Sequence, residues 1–344
     1  MKNKTKVKIV IRCTVFLLLT AGIFGYINTV FERKTTTGAW NYTVKINGYK
    51  NEPENSFDIL GFGSSHMYCT LNPLDLWKQS GLKSYVLATQ QQPLEATYYY
   101  VKEALKTQKP RLLIIESYMA TIDEENIAEG VAHDAIDPLP WSKNKFDLIQ
   151  EIVSPESRNS FYFNFIKYHT RWKGLTQSDY DFSYRTETDP YRGYVFLTQA
   201  KEIECSSLSY ENVTPMPLPE QNLLFLQKII DLAKEKDIKI LLLISPYSSA
   251  KDHAGMLKSL HLFATEAEVD ILDLNTVYDD LHLNTTSDFY DGGHLNAWGA
   301  EKIGSYLGDY LLDQYNWNIQ DTSDDADWQE DYEYCNNQKQ AAIE

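Results

Sequence analysis

Two short polar segments, far apart in the chain, carry residue types that could perform covalent catalysis. The first is Gly61-Phe62-Gly63-Ser64-Ser65-His66, directly after an apolar run, and the second is Asp291-Gly292-Gly293-His294-Leu295-Asn296. A serine hydroxyl becomes an effective nucleophile when an imidazole takes its proton and a carboxylate orients that imidazole. We therefore interpret Ser65 as a nucleophile, His294 as its general base and Asp291 as the orienting carboxylate.

Alternating strand and helix patterns predict the elements that would position these residues. Apolar runs at about 57–61, 84–88, 112–115, 238–244 and 269–274 predict five strands, and the segments between them have helical periodicity. This rhythm predicts an α/β fold, a flavodoxin-like doubly wound parallel sheet of five strands. Ligands bind beyond the carboxyl ends of such strands, so Ser65 after the first strand and His294 after the last are expected at one edge.

A long aromatic insertion interrupts the alternation after the third strand. Residues 120 to about 215 are rich in Tyr, Phe and Trp and show no regular pattern of strands and helices. Irregular insertions of this length are often functional, and this one leaves the sheet at its carboxyl edge. We expect Arg171 and Trp172 within it to contact substrate, while packing of its aromatic residues into a satellite core is an equally open interpretation.

The N-terminus predicts a membrane anchor. Five basic residues precede Cys13, and an uncharged apolar stretch continues from there to Phe31. That length just spans a bilayer core, and the basic flank predicts a cytoplasmic N-terminus with the rest of the chain outside. A cleaved signal peptide is the alternative, but the apolar stretch is longer than the usual signal and no small-x-small cleavage site follows it.

These features divide the chain into three parts. Residues 1–34 would form the basic flank and anchor, residues 35–317 the catalytic domain, and residues 318–344 an acidic tail. Between Asp321 and Glu333 the tail has seven acidic residues and no basic one, which predicts a disordered segment.

Several other functions fit the sequence poorly. The net charge of −16 argues against nucleic-acid binding. A dinucleotide loop would need a third glycine where His66 stands, and a metal site built on Asp291, His294 and His66 would lack a tight ligand cluster. Cys69 lacks a partner that could activate it, and the dispersed cysteines leave open either isolated thiols or a Cys69–Cys205 disulfide. We predict neither a metal nor a cofactor.

The two polar segments resemble those of the SGNH/GDSL hydrolases, whose first block reads G-D-S-x and whose last reads D-x-x-H. The resemblance covers roughly residues 55 to 315 in outline and implies an acyl-enzyme on Ser65, with the Ser65 N–H as first oxyanion donor. Two departures stand out: Ser64 replaces the family's Asp, and Glu116-Ser117-Tyr118 replaces the block that supplies an oxyanion-hole Asn. The resemblance leaves Gln91 or Gln92 as the second donor, with Ser64 and His66 beside the nucleophile.

In three features the chain resembles the extracytoplasmic SGNH-like proteins of cell-envelope acylation, which include the D-alanyl transfer protein of the teichoic-acid pathway. These features are the Gly-Ser-Ser block, the missing Asn block and the single N-terminal anchor. This likeness implies a serine-dependent transferase or esterase for acetyl or D-alanyl groups on a cell-surface polysaccharide or other envelope glycopolymer. It also implies a membrane-bound O-acyltransferase as partner. Two alternatives stay open: a non-catalytic scaffold of the same fold, and a lipid or peptide hydrolase.

Overall fold

A parallel five-stranded sheet forms the centre of the molecule. The structure, a computed structural model, describes residues 2–123 and 127–343. The order across the sheet is β2-β1-β3-β4-β5, with every neighbouring pair parallel. This is the flavodoxin-like order, so the predicted doubly wound α/β sheet is confirmed. The strands are β1 (Ile59–Gly63), β2 (Ser84–Ala88), β3 (Leu112–Glu116), β4 (Lys239–Ile244) and β5 (Asp270–Asp273).

Helices cover both faces of this sheet, and a small antiparallel pair lies apart from it. That pair consists of β6 (Phe289–Asp291) and β7 (His294–Leu295). The α-helices within the described ranges are α1 (Lys2–Phe31), α2 (Tyr42–Asn51), α3 (Ser65–Thr70), α4 (Pro73–Ser80), α5 (Leu94–Ala104), α6 (Glu129–Ile136), α7 (Lys143–Ile152), α8 (Arg158–Tyr162), α9 (Asn164–Tyr168), α10 (Glu220–Glu235), α11 (Ala254–Ala267), α12 (Ala297–Tyr315) and α13 (Ala326–Ala341).

The strands divide their side chains between two apolar layers. On β1, Leu60 and Phe62 face the layer formed with α5, α10 and α11, whereas Ile59 faces the layer formed with α3 and α12. Side chains alternate along a strand, and every residue of β1, β2 and β3 is buried. Because helices cover both faces of the sheet, its exposed polar loops lie at the ends of the strands. The two polar segments that contain Ser65 and His294 lie at these ends.

The insertion after β3 contains α6 to α9 and 3₁₀ helices over 169–173, 177–180 and 183–185. Its end closes the open edge of the sheet, because the Val86 N–H donates to the Arg192 carbonyl oxygen at 2.9 Å. The next residue, Gly193, has a φ of +89°, and a Cβ there would lie 1.9 Å from the Val86 oxygen. Only glycine allows the loop to approach the edge strand β2 this closely.

Helix α1 includes the predicted membrane anchor. Residues Thr5–Phe31 are long and apolar enough to cross a membrane, and their most apolar window is fully exposed. The boundary expected at residue 34 stays a prediction, but packing begins before it, because Val30 is buried and Asn28 accepts a hydrogen bond from the insertion. The last two turns of α1 therefore belong to the packed structure.

The C-terminal tail is not the disordered segment that its composition predicts. It forms α13, on which Trp328 and Cys335 are buried. The Arg192 guanidinium lies 4.6 Å from the centre of the Trp328 ring and forms an ion pair with Asp331 at 2.8 Å. Asp325, Asp327 and Asp331 thus have basic partners elsewhere in the chain. The aromatic residues supply apolar surface that the acidic composition obscured.

Candidate active site

Ser65 begins α3 directly beyond the carboxyl end of β1. Ser64 is the N-cap of this helix, and its hydroxyl accepts the His66 N–H at 3.3 Å. The tight turn depends on Gly63, whose φ is +153° and where a Cβ would lie 2.7 Å from the Glu116 Cβ. Since the first N–H groups of a helix lack intrahelical partners, the Ser65 N–H is available to an incoming oxyanion.

Asp291 and His294 form the second half of the site on the β6–β7 hairpin. The His294 Nδ1 lies 2.8 Å from Asp291 Oδ1, and the Gly293 N–H donates to the same oxygen at 2.8 Å. This contact fixes the imidazole tautomer with its proton on Nδ1, which leaves the Nε2 lone pair free to accept a proton. Nε2 is buried and has no hydrogen-bond partner among the described residues.

One cavity of about 570 Å³ brings the two halves together. Ser65 and His294 both line it, although Nε2 makes no hydrogen bond to the serine hydroxyl in this structure. Such contacts often lengthen in the absence of substrate. The cavity is lined by Arg33, Thr35, Trp40, Tyr42, Ser65, His66, Tyr68, Gln90, Gln91, Tyr118, Asp134, Tyr290, Asp291, Gly293 and His294.

His66 is a second imidazole in this cavity. Its ring stacks on Tyr118 with 4.1 Å between ring centres and lies 5.5 Å from the His294 ring. Burial, followed by the neighbouring His294, lowers the pKa of His66 to about 3. His66 is therefore neutral at physiological pH and places no competing positive charge beside the general base.

Glu116 occupies the position where the resembled family has its oxyanion-hole block. Its carboxylate accepts the Ser64 hydroxyl at 2.9 Å and the Tyr118 N–H at 2.7 Å. Burial raises the pKa of Glu116 to about 7. Ser64 is itself buried and does not line the cavity, so in this structure it bonds to Glu116 within the turn that carries Ser65.

The two glutamine candidates for the second oxyanion donor differ in position. Gln91 lines the cavity and has a φ of +46°, a left-handed conformation that non-glycine residues adopt at a cost. The Gln92 side chain is buried, donates to Thr97 at 3.0 Å and accepts from Thr89 at 3.1 Å. Its amide is thus engaged in a structural network, which leaves Gln91 as the candidate.

Arg171 and Trp172 do not line the cavity. The Arg171 guanidinium donates to the carbonyl oxygens of Phe31 and Glu32, at 2.8 and 2.7 Å, and binds Asp179. Trp172 is 63% exposed. Substrate contact by these two residues therefore stays a prediction, and it would have to lie outside this cavity.

Cys69 is excluded as the nucleophile by its surroundings. It lies on α3 and is fully buried in the apolar layer, and burial raises the pKa of its thiol far above the ordinary value. A thiol held in its protonated form is a poor nucleophile. All four cysteines are free, so the Cys69–Cys205 disulfide is not formed. Among the described residues, no group of three or more His, Cys, Asp or Glu side chains is placed to hold a metal ion.

Comparisons with known proteins give only distant structural similarities. No family model and no curated protein matches this chain. A proposed lipolytic protein of the G-D-S-L family from Desulfitobacterium hafniense is similar over 74% of this chain and 98% of its own, with 12% identity and a TM-score of 0.38. A proposed acylhydrolase from Bacteroides fragilis is similar over 78% and 94%, with 10% identity and a TM-score of 0.36. These values are too low to assign a family or an activity.

Sequence reasoning missed the aromatic wall of the cavity. Trp40 lies before the first strand, and its ring centre is 5.7 Å from that of Tyr68 and 6.2 Å from that of Tyr290. Tyr42 joins the wall through a hydrogen bond of 2.9 Å between its hydroxyl and that of Tyr68. No spacing in the sequence connects these residues, and only the approach of the segment after α1 to α3 brings them together.

Proposed function

We propose that this chain is a membrane-anchored serine esterase or O-acyltransferase. The observation that carries the proposal is the cavity shared by Ser65 and His294, whose Nδ1 binds Asp291 and whose Nε2 has no partner among the described residues. A nucleophile, a base and an orienting carboxylate on one edge of an α/β sheet are the components of acyl transfer.

The chemistry follows from these positions. His294 Nε2 removes the proton from the Ser65 hydroxyl as its oxygen attacks the ester carbonyl, and the oxyanion is stabilised by the Ser65 N–H and a donor at Gln91. His294 then protonates the departing alcohol, which leaves an acyl group on Ser65. Water or a sugar hydroxyl, deprotonated by His294, attacks this ester and restores the free serine.

The proposed substrate is an acetyl or D-alanyl ester of a cell-surface glycopolymer. The wide cavity combines an aromatic wall with the polar groups of Arg33 and Gln91, and such a lining suits an amphipathic ligand such as a sugar. The resemblance to envelope-acylation proteins supports this substrate class and a membrane-bound O-acyltransferase as partner. A non-catalytic scaffold is the second candidate, favoured by the missing hydrogen bond between Ser65 and His294.

A serine-directed fluorophosphonate and p-nitrophenyl acetate test the proposal on the full-length protein. We expect an adduct at Ser65 by mass spectrometry, and loss of both labelling and turnover in Ser65→Ala. Ser248→Ala is the matched control, because this exposed serine lies beside Gly292 but outside the cavity lining. An unlabelled protein with no turnover would favour the scaffold.

An oligosaccharide acceptor distinguishes the two enzymatic forms. A transferase should release acylated sugar faster than free acid, whereas an esterase should be indifferent to the acceptor, since only the second nucleophile differs.

A further inference from the structure

Residues of the insertion form several hydrogen bonds with the end of α1. The Phe165 N–H donates to Asn28 Oδ1 at 3.0 Å, and Arg171 bonds the last carbonyl oxygens of the helix. We call residues 163–182 the collar. These contacts hold α1 rigidly against the domain, so α1 is not a flexible tether, and they also favour an anchor that is retained over one that is cleaved.

The collar lies alongside the membrane-spanning part of α1 and not only at its end. The ring of Phe163 is 5.6 Å from that of Phe24, and the ring of Phe165 is 5.2 Å from that of Phe31. At 1.5 Å per residue, Phe24 lies roughly 10 Å before the end of the helix. If α1 spans a bilayer, Phe163 is therefore at the depth of the interface or below it.

The outer surface of the collar has the composition of a membrane interface. Phe163 is 42% exposed and Ile166 is 47% exposed. Trp172 is also highly exposed, and the ammonium group of Lys173 lies 5.2 Å from the centre of its ring. Apolar side chains next to Trp and Lys are typical of segments that lie at the lipid headgroups. Such a cluster would be costly to leave in water.

We propose that the collar is embedded in the bilayer interface and that the lipid itself is its partner. Lipid is favoured over protein because the exposed collar side chains continue the fully exposed apolar surface of α1. The catalytic cavity then lies at the membrane surface, since Arg33 and Thr35 follow the span directly and line it. The site would reach acyl groups presented at the bilayer, and this inference does not depend on the proposed reaction.

Quenching by brominated lipids tests the inference on the full-length protein reconstituted into lipid vesicles that contain no other protein. Helix α1 has no tryptophan, so quenching must come from the domain. We expect bromine atoms on the acyl chains to quench part of the tryptophan emission of the wild-type protein. This quenched component of the emission should be absent from the Trp172→Phe variant. Phe163→Trp should add strongly quenched emission.

Leu262→Trp is the matched control, because Leu262 is 49% exposed but lies on α11, away from the collar. We expect it to add emission that brominated lipids do not quench. Equal quenching of the Phe163→Trp and Leu262→Trp variants would overturn the inference, and so would an unquenched wild type. Circular dichroism confirms that each variant is folded.

Discussion

At the scale of single residues, the proposed chemistry depends on Ser65 and the Asp291–His294 pair. By analogy with other triads, Ser65→Ala or His294→Ala should lower kcat on the order of 10⁶-fold, and Asp291→Asn about 10⁴-fold. The smaller effect of Asp291→Asn reflects its role in orienting the imidazole. Turnover of p-nitrophenyl acetate measures these losses, and full activity in Ser65→Ala would contradict the assignment.

Ser64 should behave differently from its neighbour. Its hydroxyl holds the buried Glu116 carboxylate and does not line the cavity. Ser64→Ala removes one donor to a buried carboxylate, which costs on the order of 1–3 kcal/mol in the free energy of unfolding. We expect kcat to fall far less than in Ser65→Ala. Parallel denaturation and turnover measurements separate the two roles, and a Ser64→Ala loss equal to that of Ser65→Ala would show a direct catalytic role.

Glu116 should make the stability of the protein depend on pH. Burial raises the pKa of Glu116 to about 7, above its unfolded value of 4.5. As pH rises from about 4.5 to 7, the unfolded chain releases this proton first, so the folded state loses stability over that interval. Since one pKa unit corresponds to about 1.4 kcal/mol, the loss is on the order of 3 kcal/mol.

Glu116→Gln tests this prediction, because glutamine does not titrate. The free energy of unfolding of the variant minus that of the wild type should increase between pH 4.5 and 7 and stay level above. A pH-independent difference for Glu116→Gln would contradict the shifted pKa.

At the scale of elements, α13 is a packed helix whose removal should destabilise the domain. The Trp328 side chain is buried, with its ring centre 6.0 Å from that of Trp77. Trp328→Ala should cost about 3–5 kcal/mol in the free energy of unfolding. Ile319→Ala, at a position that is 70% exposed, should change it by less than about 0.5 kcal/mol. Denaturant titration decides, and equal stability of the two variants would mean that α13 does not pack.

At the scale of the whole molecule, the orientation across the membrane determines which compartment the cavity faces. The basic residues Lys2, Lys4, Lys6, Lys8 and Arg12 precede the apolar span, and such a flank stays in the cytoplasm. We expect protease added outside intact protoplasts to digest the domain. Protection of the domain until the membrane is permeabilised would reverse the proposed topology.

Signals in the sequence alone were enough to predict the sheet and the edge at which Ser65, Asp291 and His294 lie. Strand-helix periodicity fixes which segments pair, and parallel strands place Ser65 and the Asp291-x-x-His294 loop at one end because of how such sheets are connected. These are local signals: apolar runs, a glycine turn and a polar motif after a strand. They identified Ser65, Asp291 and His294, which the structure brings to one cavity.

Which side chains surround this edge of the sheet depends on tertiary contacts, which the sequence patterns did not reveal. Arg171 and Trp172 were expected at the substrate, but the fold uses the first to cap α1 and leaves the second exposed on the collar. The composition of the tail predicted disorder because it shows the acidic residues without their partner Arg192, which lies in a loop far away in the sequence. Partners far apart in sequence leave no local pattern, so whether a charged or aromatic residue is satisfied, buried or exposed depends on contacts that form only in the folded chain.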